Sequence, residues 1–181
     1  MVDTSRFIHI KITPHDIKMA QFMAKKSEIG GVSRIFTDRQ DRLARQAMDA
    51  LVGQLGTLAG YKYMTGGTDG YIRSRYMQNK TPHQGDGGED IVGANIDFKA
   101  SLWRYPEKPY HLCVRPRERH EGWVYIHALV PQTTKEVLLT GWASDAELPA
   151  APNADGPLAG AFALPLSSLH AMMPIQWRWF T

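Results

Sequence analysis

Apolar positions recur along this chain with two periods, and the change between them divides it. Ile17, Ala20 and Ala24, with Gln21, fall at helical spacing and predict a helix to about Lys26. Its start is written in Thr13-Pro14-His15-Asp16: Thr13 as N-cap, Pro14 at the first helical position, and Asp16 as the acid of a capping box. Gly30-Gly31 ends it. From Thr37 or Asp38, Leu43, Ala47, Leu51, Leu55 and Leu58 make a long amphipathic stripe that predicts a second helix to about Met64, stopped by Thr65-Gly66-Gly67.

The period then shortens. After a Gly-rich polar loop over residues 66–89, extended segments are expected at Asp90 to Val92, Asn95 to Trp103, Tyr110 to Arg115, Trp123 to Val130 and Glu136 to Trp142. Gly93-Ala94 reads as the turn of a hairpin between the first two. A weakly alternating Phe7 to Ile12 is a further short strand. Residues 145–160 read as a loop, Phe162 to Leu166 as a last strand, and Ser167 or Ser168 to Met172 as a short helical turn. Two helices followed by a strand meander predict an α/β or α+β single domain over residues 1–181.

Composition narrows the class. The 181 residues are 43% hydrophobic and 22% charged, which excludes a disordered or fibrous chain. No apolar run reaches the roughly 20 residues of a membrane span, and no signal-peptide stretch precedes Lys11. The lone Cys113 excludes an intrachain disulfide framework and a cysteine-built zinc site, so a cytoplasmic setting is expected. The net charge of +3 is unevenly spread, +6 over residues 1–119 and −3 over residues 120–181, as expected of a side that faces a polyanion.

The chemistry concentrates in Gly85-Asp86-Gly87-Gly88-Glu89-Asp90-Ile91-Val92-Gly93-Ala94-Asn95-Ile96-Asp97-Phe98-Lys99. On a strand, Asp97 and Lys99 share one face and Ile96, Phe98 and Ala100 the other. Asp90, across the turn, brings a second carboxylate near Asp97. Two close carboxylates repel, and a divalent cation relieves them. Mg2+ is held by one or two carboxylates, waters and a substrate phosphate. Lys99 beside it could orient a water or neutralise charge developing on phosphorus. The plain alternative is a same-face ion pair on a solvated strand.

These residues resemble the PD-(D/E)XK nuclease superfamily, in which a helix precedes a hairpin carrying an acid and then (Asp/Glu)-x-Lys. Asp90 matches the first acid and Asp97-Phe98-Lys99 the second motif. The resemblance is widest to small bacterial and phage members, whose second helix carries Gly-x-x-Gly-Glu-x-Ala. This chain has Gly53-Gln54-Leu55-Gly56-Thr57-Leu58-Ala59, and later Gly141-Trp142-Ala143 and Leu164-Pro165-Leu166-Ser167-Ser168-Leu169. The likeness spans roughly residues 13–173.

The resemblance implies a restriction-endonuclease-like core, a central mixed β-sheet flanked by helices, and cleavage of DNA with Mg2+ or Mn2+. It puts the metal on Asp90, Asp97 and the Phe98 backbone carbonyl, and gives Lys99 the attacking water. Thr57 stands where the family has Glu. Gln54, Glu89 or Asp86 could substitute for it, or the site has decayed into a non-cleaving DNA-binding or assembly module. Arg42 and Arg45 on the second helix, Arg73, Arg75 and Lys80 in the Gly-rich loop, and Arg104 after the catalytic strand are the expected DNA contacts, with Arg115, Arg117 and Arg119 nearby. One metal face nicks one strand, so double-strand cleavage calls for a homodimer or repeated nicking.

Other signals point elsewhere less well. The glycine runs lack the Gly-Lys-Ser/Thr ending of a phosphate loop, and Ser167 and Ser168 lack the glycines of a nucleophile elbow. His111 and His127 are expected as satisfied or exposed polar residues. Trp123, Trp142, Trp177 and Trp179 read as core or interface anchors.

Overall fold

The computed structural model describes residues 4–28, 39–72, 90–91, 93–133 and 135–172. Its elements are β1 (Ile8–Lys11), α1 (Pro14–Glu28), α2 (Arg39–Thr65), β2 (Ile96–Trp103), β3 (His111–Val114), β4 (Val124–Pro131), β5 (Glu136–Ser144) and β6 (Phe162–Pro165). A 3-10 turn, Pro116–Glu118, follows β3. The capping box at Thr13 forms: its N–H donates to Asp16 Oδ2 at 2.8 Å, and Asp16 N–H donates to Thr13 Oγ1 at 3.2 Å. Asp16 also accepts Lys62 Nζ at 2.8 Å, which ties the start of α1 to the end of α2.

The strands do not form a meander. A four-stranded sheet has the order β1-β5-β4-β2, while β3 and β6 make a separate two-stranded sheet. β2 and β4 run parallel and the remaining pairs antiparallel. The chain must therefore cross over between β2 and β4, and β3 occupies that crossover in another layer. Six consecutive residues of β4, Tyr125 to Val130, are buried because both faces of the strand are covered.

The two faces are covered differently. α2 packs over β2, β4 and β5, on Ile96, Phe98, Ile126, Ala128 and Leu139. The opposite face meets Leu112, Val114 and Phe162 of the small sheet through Tyr125, Leu129 and Leu138. The described sheet is mixed, as expected, and the described helices cover one of its faces. A bulge keeps the faces in order: His127 pairs with Gly141 but Ala128 with Leu139, so Thr140 is the extra residue.

The Gly53-to-Ala59 segment lies at the seam between α2 and the sheet. A Cβ on Gly56 would stand 2.6 Å from Ala100 Cβ, and one on Gly60 2.0 Å from the Phe98 ring. These glycines let the helix backbone approach β2. Of the expected 90–92 strand, Val92 lies outside the described residues, and Ile91 forms a single antiparallel bridge to Ile96. The chain reverses there through left-handed conformations at Gly93 (φ +79°) and Asn95 (φ +52°), so β2 begins at Ile96.

Candidate active site

Among the described strands β2 is the edge of the sheet, and its strand period sets the site. Ile96, Phe98 and Ala100 face α2, which leaves Asp97, Lys99 and Ser101 on the other face. That face lies beneath a second layer, not in solvent. The Asp97 side chain is 5% exposed and that of Lys99 18%, with Lys99 Nζ 2.7 Å from Asp97 Oδ2. This burial is what separates the pair from an ordinary solvated ion pair.

Asp90 enters from the edge. Its N–H donates to Ile96 O at 2.8 Å and its Oδ2 accepts Phe98 N–H at 2.7 Å. An N–H and C=O of one strand residue point the same way. The Phe98 carbonyl, named from the sequence as a ligand, therefore points to the edge that holds Asp90 and away from β4.

A third carboxylate belongs to the cluster and was not singled out in the sequence. Glu118 Oε2 accepts Lys99 Nζ at 2.9 Å. It is held by the turn after β3: Tyr125 Oη donates to Glu118 O at 3.1 Å and accepts His120 N–H at 2.7 Å. The one available signal was a lone acid inside Arg115-Pro116-Arg117-Glu118-Arg119. A single acid among arginines reads as local charge balance until the fold shows what it reaches.

Asp90, Asp97 and Glu118 all act on the electrostatics of this pair. Burial pushes the Asp97 carboxyl up to about 8; Lys99 opposes that, and the Asp90 and Glu118 charges reinforce it. Burial also raises Glu118, but the Lys99 charge and hydrogen bond overcome this and hold it below its ordinary value. Lys99 is raised, since the two carboxylates outweigh the cost of burying an ammonium. Asp97 thus retains a proton at neutral pH where a cation would replace it.

Among the described residues no three acidic, histidine or cysteine side chains cluster as a metal cage. Asp97 and Asp90 are the carboxylates that could hold a hard cation, which would keep several of its waters.

Other sequence candidates are placed differently. Gln54 is buried on α2, where its Oε1 accepts Tyr71 Oη at 2.6 Å. Thr57 is also buried on α2, across the sheet from Asp97 and Lys99. Neither joins the pair. Arg104 follows β2 roughly 20 Å along the strand from Asp97 and is exposed. Arg119 is an internal brace: Nε lies 2.6 Å from Asp145 Oδ1, Nη1 donates to Pro149 O at 3.0 Å, and the guanidinium sits 4.6 Å from the Phe162 ring centre. Asp86, Glu89, Arg73, Arg75 and Lys80 lie outside the described residues, as do Trp177 and Trp179 and the side chains of Arg42 and Arg45.

His127 is satisfied and internal. Thr140 Oγ1 donates to His127 O at 3.2 Å, so it accepts from Nδ1–H at 2.9 Å, which leaves Nε2 to accept the Ser101 hydroxyl at 3.1 Å. Complete burial lowers its pKa to about 3.

Comparison with known protein families, with characterised proteins and with solved structures yields no match to this chain. No helix of the described residues is long and apolar enough to cross a membrane.

Proposed function

We propose that this protein is a Mg2+-dependent DNA endonuclease with a restriction-endonuclease-like core. The observation that carries this reading is the buried Asp97–Lys99 pair on β2, with Glu118 on the same ammonium and Asp90 close enough to push the Asp97 carboxyl up.

Asp97 and Asp90 are the carboxylates that would hold Mg2+, with the Phe98 carbonyl turned to the same edge. The ion, when bound, supplies positive charge against the phosphate oxygens and acidifies its water. The residues themselves divide the remaining work. Glu118 keeps hold of the Lys99 ammonium when Asp97 exchanges its proton for a cation. Lys99 Nζ, so anchored, orients an attacking water and donates a hydrogen bond to the phosphate as negative charge grows there. Tyr125 fixes the turn that carries Glu118.

One observation favours a second reading, a non-cleaving DNA-binding or assembly module on the same fold: Thr57, where the resembled family has Glu, is neutral and buried on α2 across the sheet from the pair. Incubation of supercoiled plasmid with Mg2+, Mn2+ or EDTA separates the two. Metal-dependent nicking that Lys99→Ala abolishes supports the nuclease. DNA binding without cleavage in any lane, over substrates of varied sequence and structure, supports the module.

A further inference from the structure

Beside Glu118 the surface opens into a cavity of about 370 Å3, lined by Arg115, Pro116, Arg117, Ala159, Gly160 and Ala161. Two parts of its lining differ in chemistry. In one, Arg115 Nη1 and Arg117 Nε lie 4.0 and 3.8 Å from Glu118 Oε1, with side chains 50% and 69% exposed. The other Glu118 oxygen holds Lys99. One carboxylate therefore separates the cavity's cations from the candidate catalytic ammonium.

The rest of the lining, Ala159 to Ala161, is small and apolar. Its main-chain donors are occupied: Ala159 N–H donates to Gly156 O at 3.1 Å, Gly160 N–H to Asn153 O at 2.9 Å, and Ala161 N–H to Leu158 O at 3.1 Å. An anion gains nothing from that segment, whereas a flat ring does. Two guanidiniums and a methyl-bearing segment lining one cavity suit a ligand that is charged at one end and planar at the other. The volume lies within the range of small-ligand sites.

We propose that this cavity is a subsite for one nucleotide unit of the bound strand, its phosphate on Arg115 and Arg117 and its base against Ala159 to Ala161. The placement of that unit next to the scissile phosphate rests on the nuclease reading; the binding itself does not.

The test is fluorescence anisotropy of a labelled 15-nucleotide DNA single strand in EDTA over a range of salt. It compares wild type, the double variant Arg115→Gln/Arg117→Gln, and Ala161→Leu, with thermal melts as the folding control. A lost phosphate contact removes about 0.7 from the slope of log K against log salt, so the double variant, which gives up the one phosphate the two arginines share, should be shallower by about 0.7. Ala161→Leu fills the base side and should weaken binding several-fold with the slope unchanged. Variants that melt like wild type and bind with its affinity and slope overturn the proposal. Competition by inorganic phosphate as strong as that by thymidine monophosphate overturns the base half. Arginine-dependent binding by a protein that never cleaves would sink the nuclease reading and leave this subsite standing; cleavage with binding indifferent to the arginines would do the reverse.

Discussion

Glu118 accepts the Lys99 ammonium at 2.9 Å across nineteen residues of sequence. Lys99 is thereby shared between Glu118 and its strand neighbour Asp97 at 2.7 Å. Loss of Glu118 should consequently be felt at Lys99 without removing any group that meets the phosphate. Glu118→Gln is expected to lower cleavage about ten- to a hundredfold, as loss of an outer-shell partner typically does, and to shift the alkaline limb of the pH–rate profile downward as Lys99 loses a carboxylate. An unaltered pH profile would show that Glu118 does not support Lys99.

Asp97 sets the pH dependence of stability. Its folded pKa, raised to about 8, exceeds the ordinary value of about 3.9. Between these limits the folded state binds more protons than the unfolded state, so stability from this group is full below about pH 4 and is lost as pH rises through about 8. Urea titrations of wild type and Asp97→Asn in EDTA should show this decline in the wild type and a flatter profile in the variant. Parallel profiles would contradict it.

A divalent cation must compete with that proton. Stabilisation by Mg2+, read as the rise in Tm at fixed excess metal, should grow from pH 6 to pH 8.5 and vanish in Asp97→Ala. Metal stabilisation independent of pH would mean that the ion binds away from Asp97.

The seam between α2 and β2 links packing to the site. Gly60→Ala puts a methyl group into the Phe98 ring and should cost about 1–3 kcal/mol. It should also lower activity, since Phe98 lies between Asp97 and Lys99. Gly53→Ala meets nothing within 4 Å and should leave stability unchanged or raise it by up to about 1 kcal/mol. Chemical denaturation of the pair checks both.

His127 should remain neutral far into acid. Its folded pKa, lowered to about 3, lies below the ordinary value of about 6.5, so its contribution is full above about pH 6.5 and falls away toward pH 3. NMR of the imidazole Cε1–H signals should show one histidine that does not titrate between pH 8 and 4. An ordinary midpoint for it would mean that the Ser101–His127–Thr140 chain opens in solution.

Local grammar carried much of the fold. The Thr13–Asp16 cap, the helix that carries Leu43 to Leu58 and the turn at Gly93 are short-range features, and each forms where the residues indicate. The strand alternation of Asp97 and Lys99 against Ile96 and Phe98 was equally legible, because side chains on a strand must alternate. The meander expectation failed because a doubly covered strand such as β4 shows no alternation, and nothing local records whether the next strand pairs parallel, antiparallel or not at all.

The sequence by itself determined the helices, the extended segments and the pair of charges on one face of β2. Only the tertiary structure decided that this face is buried, that Glu118 joins it, and that Arg119 is a brace while Arg115 and Arg117 line a cavity. Local dihedral preferences and capping bonds act within a few residues and so can be read along the chain. Desolvation and the meeting of charges from distant segments depend on which layers stack, and that is set by the collective burial of apolar area in the whole fold.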